Sequence, residues 1–164
     1  MEVFNVGILG FGFMGKMHAY GYKTIPLYYG GLPWKTKLCG VCTSSPATAQ
    51  IAKEAMDFEF ATVNPDDIIN REDIHIINVC TPNIYHKDVI IKALKAGKHI
   101  YCDKPLAINY EEAQEIVKVM KENKDKGSVC QVVFQNRFFP ATLKAKELIE
   151  EGRLGNVLTF RASY

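Results

Sequence analysis

The feature that most constrains this chain lies ten residues in. A continuous apolar run, Val3–Leu9, ends at Gly10-Phe11-Gly12-Phe13-Met14-Gly15, and helical periodicity begins at once. A short apolar run closed by glycines reads as a buried parallel strand. G-x-G-x-x-G between such a strand and a helix is the context in which this spacing cradles a phosphate. The first glycine permits a tight turn, the second lets backbone approach a pyrophosphate, and the third lets helix and strand pack closely. The helix start then offers free N–H groups and a positive dipole end to the anion.

The rest of the chain repeats the strand–helix alternation. Helical patterns are predicted over Met14–Ile25, Pro46–Met56, Tyr85–Ala96, Tyr110–Lys124 and Pro140–Glu151, with one short turn after Asn64-Pro65-Asp66-Asp67. Strands are predicted over Leu38–Thr43, Glu59–Thr62, Ile74–Cys80, His99–Cys102 and Val129–Phe134. Ser44 or Ser45 caps the second helix with Pro46 in its first turn, and Gly97 and Gly152 are helix stops. Pro26–Trp34 is predicted as a loop by its glycines and prolines. This alternation specifies an α/β doubly wound parallel sheet.

The tail, Asn156–Tyr164, alternates apolar and polar residues. It reads as the first strand of a further α+β domain, with residues 1–135 forming the nucleotide-binding domain and 136–164 a linker helix plus that strand.

Composition sets outer bounds. The 164 residues are 48% hydrophobic, enough for a core, and the net charge of +2 gives no argument for a nucleic-acid partner. No stretch reads as a signal peptide or a membrane span. The five cysteines lie scattered in apolar runs, as in reduced cytoplasmic proteins. Cys39 and Cys42 are spaced C-x-x-C, but on a strand residues three apart face opposite sides. They are therefore read as core rather than redox or metal residues, and no metal is expected.

An acid at the end of the second strand ordinarily holds the ribose hydroxyls of NAD. Here that strand ends Cys42-Thr43-Ser44-Ser45, and no Asp or Glu occurs between Val3 and Lys53. The stretch carries Lys16, Lys23, Lys35, Lys37 and Lys53 instead. Hydroxyls without a nearby carboxylate suit a 2′-phosphate, so the expected cofactor is NADP or NAD, with NADP ahead. The serines serve equally as helix caps.

Three further runs resemble the glucose–fructose oxidoreductase and inositol dehydrogenase family. They are Thr81-Pro82-Asn83-Ile84-Tyr85-His86, Ala93–His99, and Asp103-Lys104-Pro105-Leu106-Ala107. Lys16 and His18 after the glycine motif fit it too, as do Gln135-Asn136-Arg137-Phe138 and Gly152-Arg153-Leu154-Gly155. The resemblance implies a Rossmann domain followed by an α+β domain, and an oxidoreductase moving hydride between nicotinamide and a hydroxyl or carbonyl of a sugar, inositol or related molecule.

It implies that Lys104, matching the lysine of the family's E-K-P motif, contacts the reacting oxygen. Asp103 stands where the family has Glu. Cys80, Thr81, Pro82 and Asn83 would form the nicotinamide-side wall, with His86 nearby and Arg137 on the carboxamide or substrate, or else in an ion pair with the next helix. His75 and His99 are read as structural. The family's acid/base histidine follows a D-x-x-x-H-type pattern that these residues lack. Binding of cofactor alone is therefore expected of residues 1–164, with homo-oligomerisation belonging to the second domain. A non-catalytic dinucleotide-binding regulator, and a glycosidase that keeps NAD tightly bound, are the competing readings.

Overall fold

The computed structural model describes residues 1–161. Six strands, β1 (Glu2–Leu9), β2 (Trp34–Cys42), β3 (Phe60–Thr62), β4 (Ile76–Val79), β5 (His99–Cys102) and β6 (Cys130–Val132), form one sheet in the order β3-β2-β1-β4-β5-β6. Every pairing is parallel. The helices are α1 (Phe13–Tyr28), α2 (Pro46–Met56), α3 (Asp66–Ile69), α4 (His86–Lys95), α5 (Tyr110–Glu122) and α6 (Pro140–Glu150).

Both sheet faces are covered, which is why the strands are nearly all apolar. On one face Val6, Ile8, Leu38 and Val41 pack with Ala19 of α1 and Ala52 of α2. On the other, Leu9, Ile77, Val79, Ile100 and Cys102 pack with Ile68 of α3, Ile90 and Leu94 of α4 and Ile116 of α5. The chain divides into two units, Met1–Val133 and Phe134–Tyr164. Among the described residues, no helix is long and apolar enough to cross a membrane.

Several elements depart from the sequence pattern. Helix α1 runs through Pro26 to Tyr28, because a proline near a helix end removes one hydrogen bond while Tyr29 N still donates to Ile25 O at 2.9 Å. Strand β2 starts at Trp34, and its first residues alternate between half-buried and exposed beside the outer part of β1.

The register of β1 against β2 slips between Val6 and Gly7, pairing them with Leu38 and Gly40 and leaving Cys39 as the extra residue of a bulge. The bulge breaks the two-residue alternation. Cys39 and Cys42 consequently share one face and one core cluster, contrary to the opposite-face expectation. Cys39 Sγ donates to Glu59 Oε2 at 3.0 Å, and both cysteines are free.

In the second unit, α6 follows a 3₁₀ turn at Gln135–Phe138. No strand is assigned over 156–161, and among the described residues no segment pairs with it. The last three positions of the predicted strand, 162–164, lie outside the described residues.

Candidate functional site: a dinucleotide cleft at the carboxyl edge of the sheet

The strand order reverses between β1 and β4. After β1 the chain enters α1 on one face, and after β4 it enters α4 on the other, so a crevice opens between the two carboxyl ends. The loops around it are tied to neighbouring strands. Gly10 N donates to Cys42 O at 2.8 Å, Cys80 N to Leu9 O at 2.7 Å, and Asp103 N to Val79 O at 2.8 Å. The segments Gly10–Gly15, Thr43–Ser45, Cys80–Asn83 and Asp103–Lys104 therefore all follow strands that end on this one edge.

The three motif glycines differ in what they need. Gly10 has φ +89°, and a Cβ there would stand 2.5 Å from the Cys80 carbonyl oxygen. A Cβ on Gly15 would collide with the Gly10 carbonyl oxygen, so strand and helix meet only without a side chain. At Gly12, the N-cap of α1, a Cβ would meet nothing of the chain within 4 Å. That position is open, and the cap has no side-chain hydrogen bond. The first-turn amides of α1 thus face the opening with the positive end of the helix dipole. Phe11 packs edge-on against Phe58 at 5.8 Å, while Phe13 is exposed and Met14 half-buried.

Thr43, Ser44 and Ser45 close the crevice on the β2 side. Ser45 is the N-cap of α2, its Oγ accepting from Thr48 N at 3.3 Å. Thr43 Oγ1 lies 2.7 Å from Thr48 Oγ1 and donates to Ser45 O at 3.0 Å. Two of the three hydroxyls are thus engaged at the start of the helix, Ser45 as its cap and Thr43 in bonds to Ser45 and Thr48.

On the β4 side, Thr81 and Pro82 lead into a 3₁₀ turn over Asn83–Tyr85 and then α4. Thr81 Oγ1 is buried without a hydrogen-bond partner among the described residues. His86 is buried, with Nε2 2.8 Å from Thr81 O and Nδ1 2.9 Å from Pro105 O. At the end of β5, Asp103 Oδ1 accepts from Lys104 N at 2.8 Å, leaving the Lys104 side chain exposed at the edge. The Lys104–Pro105 peptide is cis.

Beneath the crevice lies a polar cluster that sequence reasoning missed. Asn78 of β4 is fully buried; its Oδ1 accepts from Tyr22 OH at 3.3 Å and lies 3.1 Å from His18 Nδ1. Its amide donates to Cys80 Sγ at 3.0 Å, and the His18 ring packs at a tilt of 35° against Tyr101, 5.3 Å between centroids. Asn78, the polar residue inside the apolar run Ile76–Cys80, was the available signal, because buried amides are retained with partners. Burial pushes the Cys80 thiol up to about 12, further raised by Asp103 and opposed by the Asn78 bond. Burial likewise lifts Cys102 to about 12. Both are neutral thiols at the edge, not nucleophiles.

His75 and His99 serve the opposite edge. Asn5 N donates to His75 Nδ1 at 3.0 Å and Val129 N to His99 Nδ1 at 3.1 Å. Arg137 belongs to the second unit, where its guanidinium lies over the Phe134 ring at 5.7 Å. Among the described residues it makes no ion pair with α6, so that alternative fails.

Residues 4–132 match the model of a family described as "Oxidoreductase family, NAD-binding Rossmann fold". The chain belongs to this family. Over all 164 residues it is 38% identical to a levoglucosan dehydrogenase of Pseudarthrobacter phenanthrenivorans, covering 41% of that protein. Over 151 residues, 92% of the chain, it is 32% identical to an inositol 2-dehydrogenase of Rhizobium meliloti, covering 42% of it.

Among solved structures, levoglucosan dehydrogenase in complex with NADH and levoglucosan superposes with a TM-score of 0.90, over 96% of this chain and 42% of that one. The chain thus spans about two fifths of the length of these relatives.

Proposed function

We propose that this chain is the cofactor-binding part of an NAD(H)-dependent dehydrogenase or reductase acting on a hydroxyl or carbonyl of a sugar, inositol or related small molecule. The observation that carries the reading is the convergence of the glycine cradle and the Asp103–Lys104 turn on one sheet edge. The open space at Gly12 and the free first-turn amides of α1 suit a pyrophosphate. Phe11, Phe13 and Met14 would flank it, and Cys80–Asn83 and His86 would wall the nicotinamide half.

When bound, the nicotinamide supplies or accepts the hydride. The chain's own part is to hold and orient. The Lys104 ammonium donates to the reacting oxygen and stabilises negative charge developing there. Asp103, with one oxygen bonded to the Lys104 amide, keeps its second oxygen for the ribose. Arg137 is assigned to the carboxamide or substrate, residues 136–164 to the start of a substrate and oligomerisation domain, and the proton-transferring group to the further length that the relatives have. Five free cysteines suit a reducing compartment such as the cytoplasm.

NAD(H) displaces NADP(H) as the preferred cofactor. The Ser45 hydroxyl caps α2 and the Thr43 hydroxyl is bonded to Ser45 and Thr48, which leaves Ser44 alone for a 2′-phosphate. The relative's complex, moreover, holds NADH. A purely regulatory dinucleotide binder has no use for Lys104 at the edge.

The test is titration of the purified chain with NADH and NADPH, followed by nicotinamide fluorescence. The reading expects saturable binding with NADH the tighter. Tighter NADPH would return the Thr43–Ser45 turn to phosphate binding, and binding of neither would remove the cofactor reading from this chain.

A further inference from the structure

One residue of the nicotinamide wall is too buried to present its ring to a ligand. His86, the first residue of α4, is 1% exposed, and both of its ring nitrogens lie beside backbone carbonyls. Nε2 is 2.8 Å from the oxygen of Thr81, and Nδ1 is 2.9 Å from the oxygen of Pro105. The first carbonyl belongs to the loop after β4 and the second to the loop after β5. Cys102 Sγ, 3.3 Å from Nδ1, donates to the Asp103 carbonyl at 3.1 Å and packs the ring against the same turn.

Carbonyl oxygens only accept. A hydrogen bond to either one is donated by the ring nitrogen that faces it. A ring that left or turned would give up both contacts, and with them the link between the two loops. The Asp103-Lys104-Pro105 turn has few other ties. Asp103 N is held by Val79 O, and among the described residues the Lys104 amide is held by the Asp103 side chain alone. The Lys104 side chain has no partner in the described residues, so where it stands depends on the turn beneath it.

We propose that His86 is a positioning residue, a staple that fixes the spacing between the Thr81–Asn83 wall and the Asp103–Pro105 turn, and through the turn sets where Lys104 meets the nicotinamide. Buried at 1% exposure, it acts from behind the wall, through the two loops that it joins. Its consequence for binding rests on the dinucleotide reading; its geometry does not. The ring bonds of His75 and His99 are exposed, lie at the opposite edge and tie no site loop.

The experiment compares the unsubstituted chain with His86→Gln and His86→Leu, using NADH and ADP-ribose, which lacks the nicotinamide. The staple predicts that His86→Leu weakens NADH about tenfold, the weight of one hydrogen bond to a buried group, while ADP-ribose changes less than about twofold. His86→Gln, which keeps one donor, falls between. Equal weakening of both ligands, or of neither, overturns the proposal, since a general packing role would not separate the two halves of the cofactor.

Amide spectra test the staple without any ligand. His86→Gln must shift signals of both 81–85 and 103–106 together and leave 10–15 in place; movement of one loop alone overturns it. Should His86→Leu fail to fold, the Gln variant carries both readouts. Failure of the unsubstituted chain to bind either ligand counts against the dinucleotide reading, and the spectra then decide the staple.

Discussion

Replacing Gly12 by alanine separates the ligand's need for glycine from the fold's. At this position φ is −73°, a value any residue adopts, and a Cβ would meet nothing of the protein within 4 Å. Alanine is a poorer N-cap than glycine, so stability should fall by no more than about 1 kcal/mol.

Gly10→Ala provides the contrast. It forces a φ of +89° on an L-residue and drives its Cβ to 2.5 Å from the Cys80 carbonyl oxygen. The left-handed conformation costs about 1–2 kcal/mol, and crowding against fixed backbone costs about 1–3 more. The sum of about 2–5 kcal/mol corresponds to a fall in Tm of roughly 5–15 °C for a domain of this size.

Binding should follow another order. A methyl at Gly12 occupies the approach of the pyrophosphate, and loss of one or two charge-assisted bonds, at about 1.5–3 kcal/mol each, weakens NADH at least about tenfold. The assay is thermal unfolding of both variants beside a fluorescence titration of the folded ones. A Gly12→Ala protein that binds NADH like the unsubstituted chain refutes the reasoning. So does one that loses as much stability as Gly10→Ala, because the open space at Gly12 would then not exist.

Three further outcomes follow from the same geometry. Ser45→Ala removes the cap of α2 and should lower stability by about 1 kcal/mol in denaturant titration, with NADH affinity within about twofold; a large loss of NADH affinity would make Ser45 a ligand contact. Lys104→Met, at an exposed position, should leave Tm within about 2 °C. In the longer protein it should cut turnover about a hundredfold or more, as removal of an oxyanion donor does; undiminished turnover would remove Lys104 from the reacting oxygen. Burial raises the thiols of Cys39, Cys80 and Cys102 to about 12 and that of Cys42 to about 11, from an ordinary 9.0. A raised acid binds its proton more tightly when folded, so this stability is whole below pH 9 and is lost as pH rises from there towards 12. Circular dichroism across that range should show alkaline unfolding, with alkylation of these thiols following unfolding rather than preceding it.

The sheet was legible because its strands are buried on both faces and its turns carry glycine, proline and capping residues, which are local signals. The cradle was legible for the same reason, as motif and context lie within fifteen residues. What escaped depends on partners distant in sequence. The bulge at Cys39 arises from pairing with β1 and reverses the facing of Cys39 relative to Cys42. The early residues of β2 lack an apolar run and form a strand because β1 extends beside them. The predicted strand after residue 155 had the right alternation but, among the described residues, no neighbour over 156–161. His86 was visible only as part of a family motif. That it joins carbonyls 5 and 19 residues away requires the two loops to be side by side, as only the folded sheet arranges them.

The central claim is that a nicotinamide dinucleotide lies across the carboxyl edge between β1 and β4. Amide chemical-shift mapping during an NADH titration tests it most directly. The account predicts the largest shifts at 10–15, with 43–45, 81–83 and 103–104 following. Shifts confined to the opposite edge, around Glu72, His75, Gly97 and His99, or to the outer face of α5 around Tyr110, Val117 and Lys121, would contradict it.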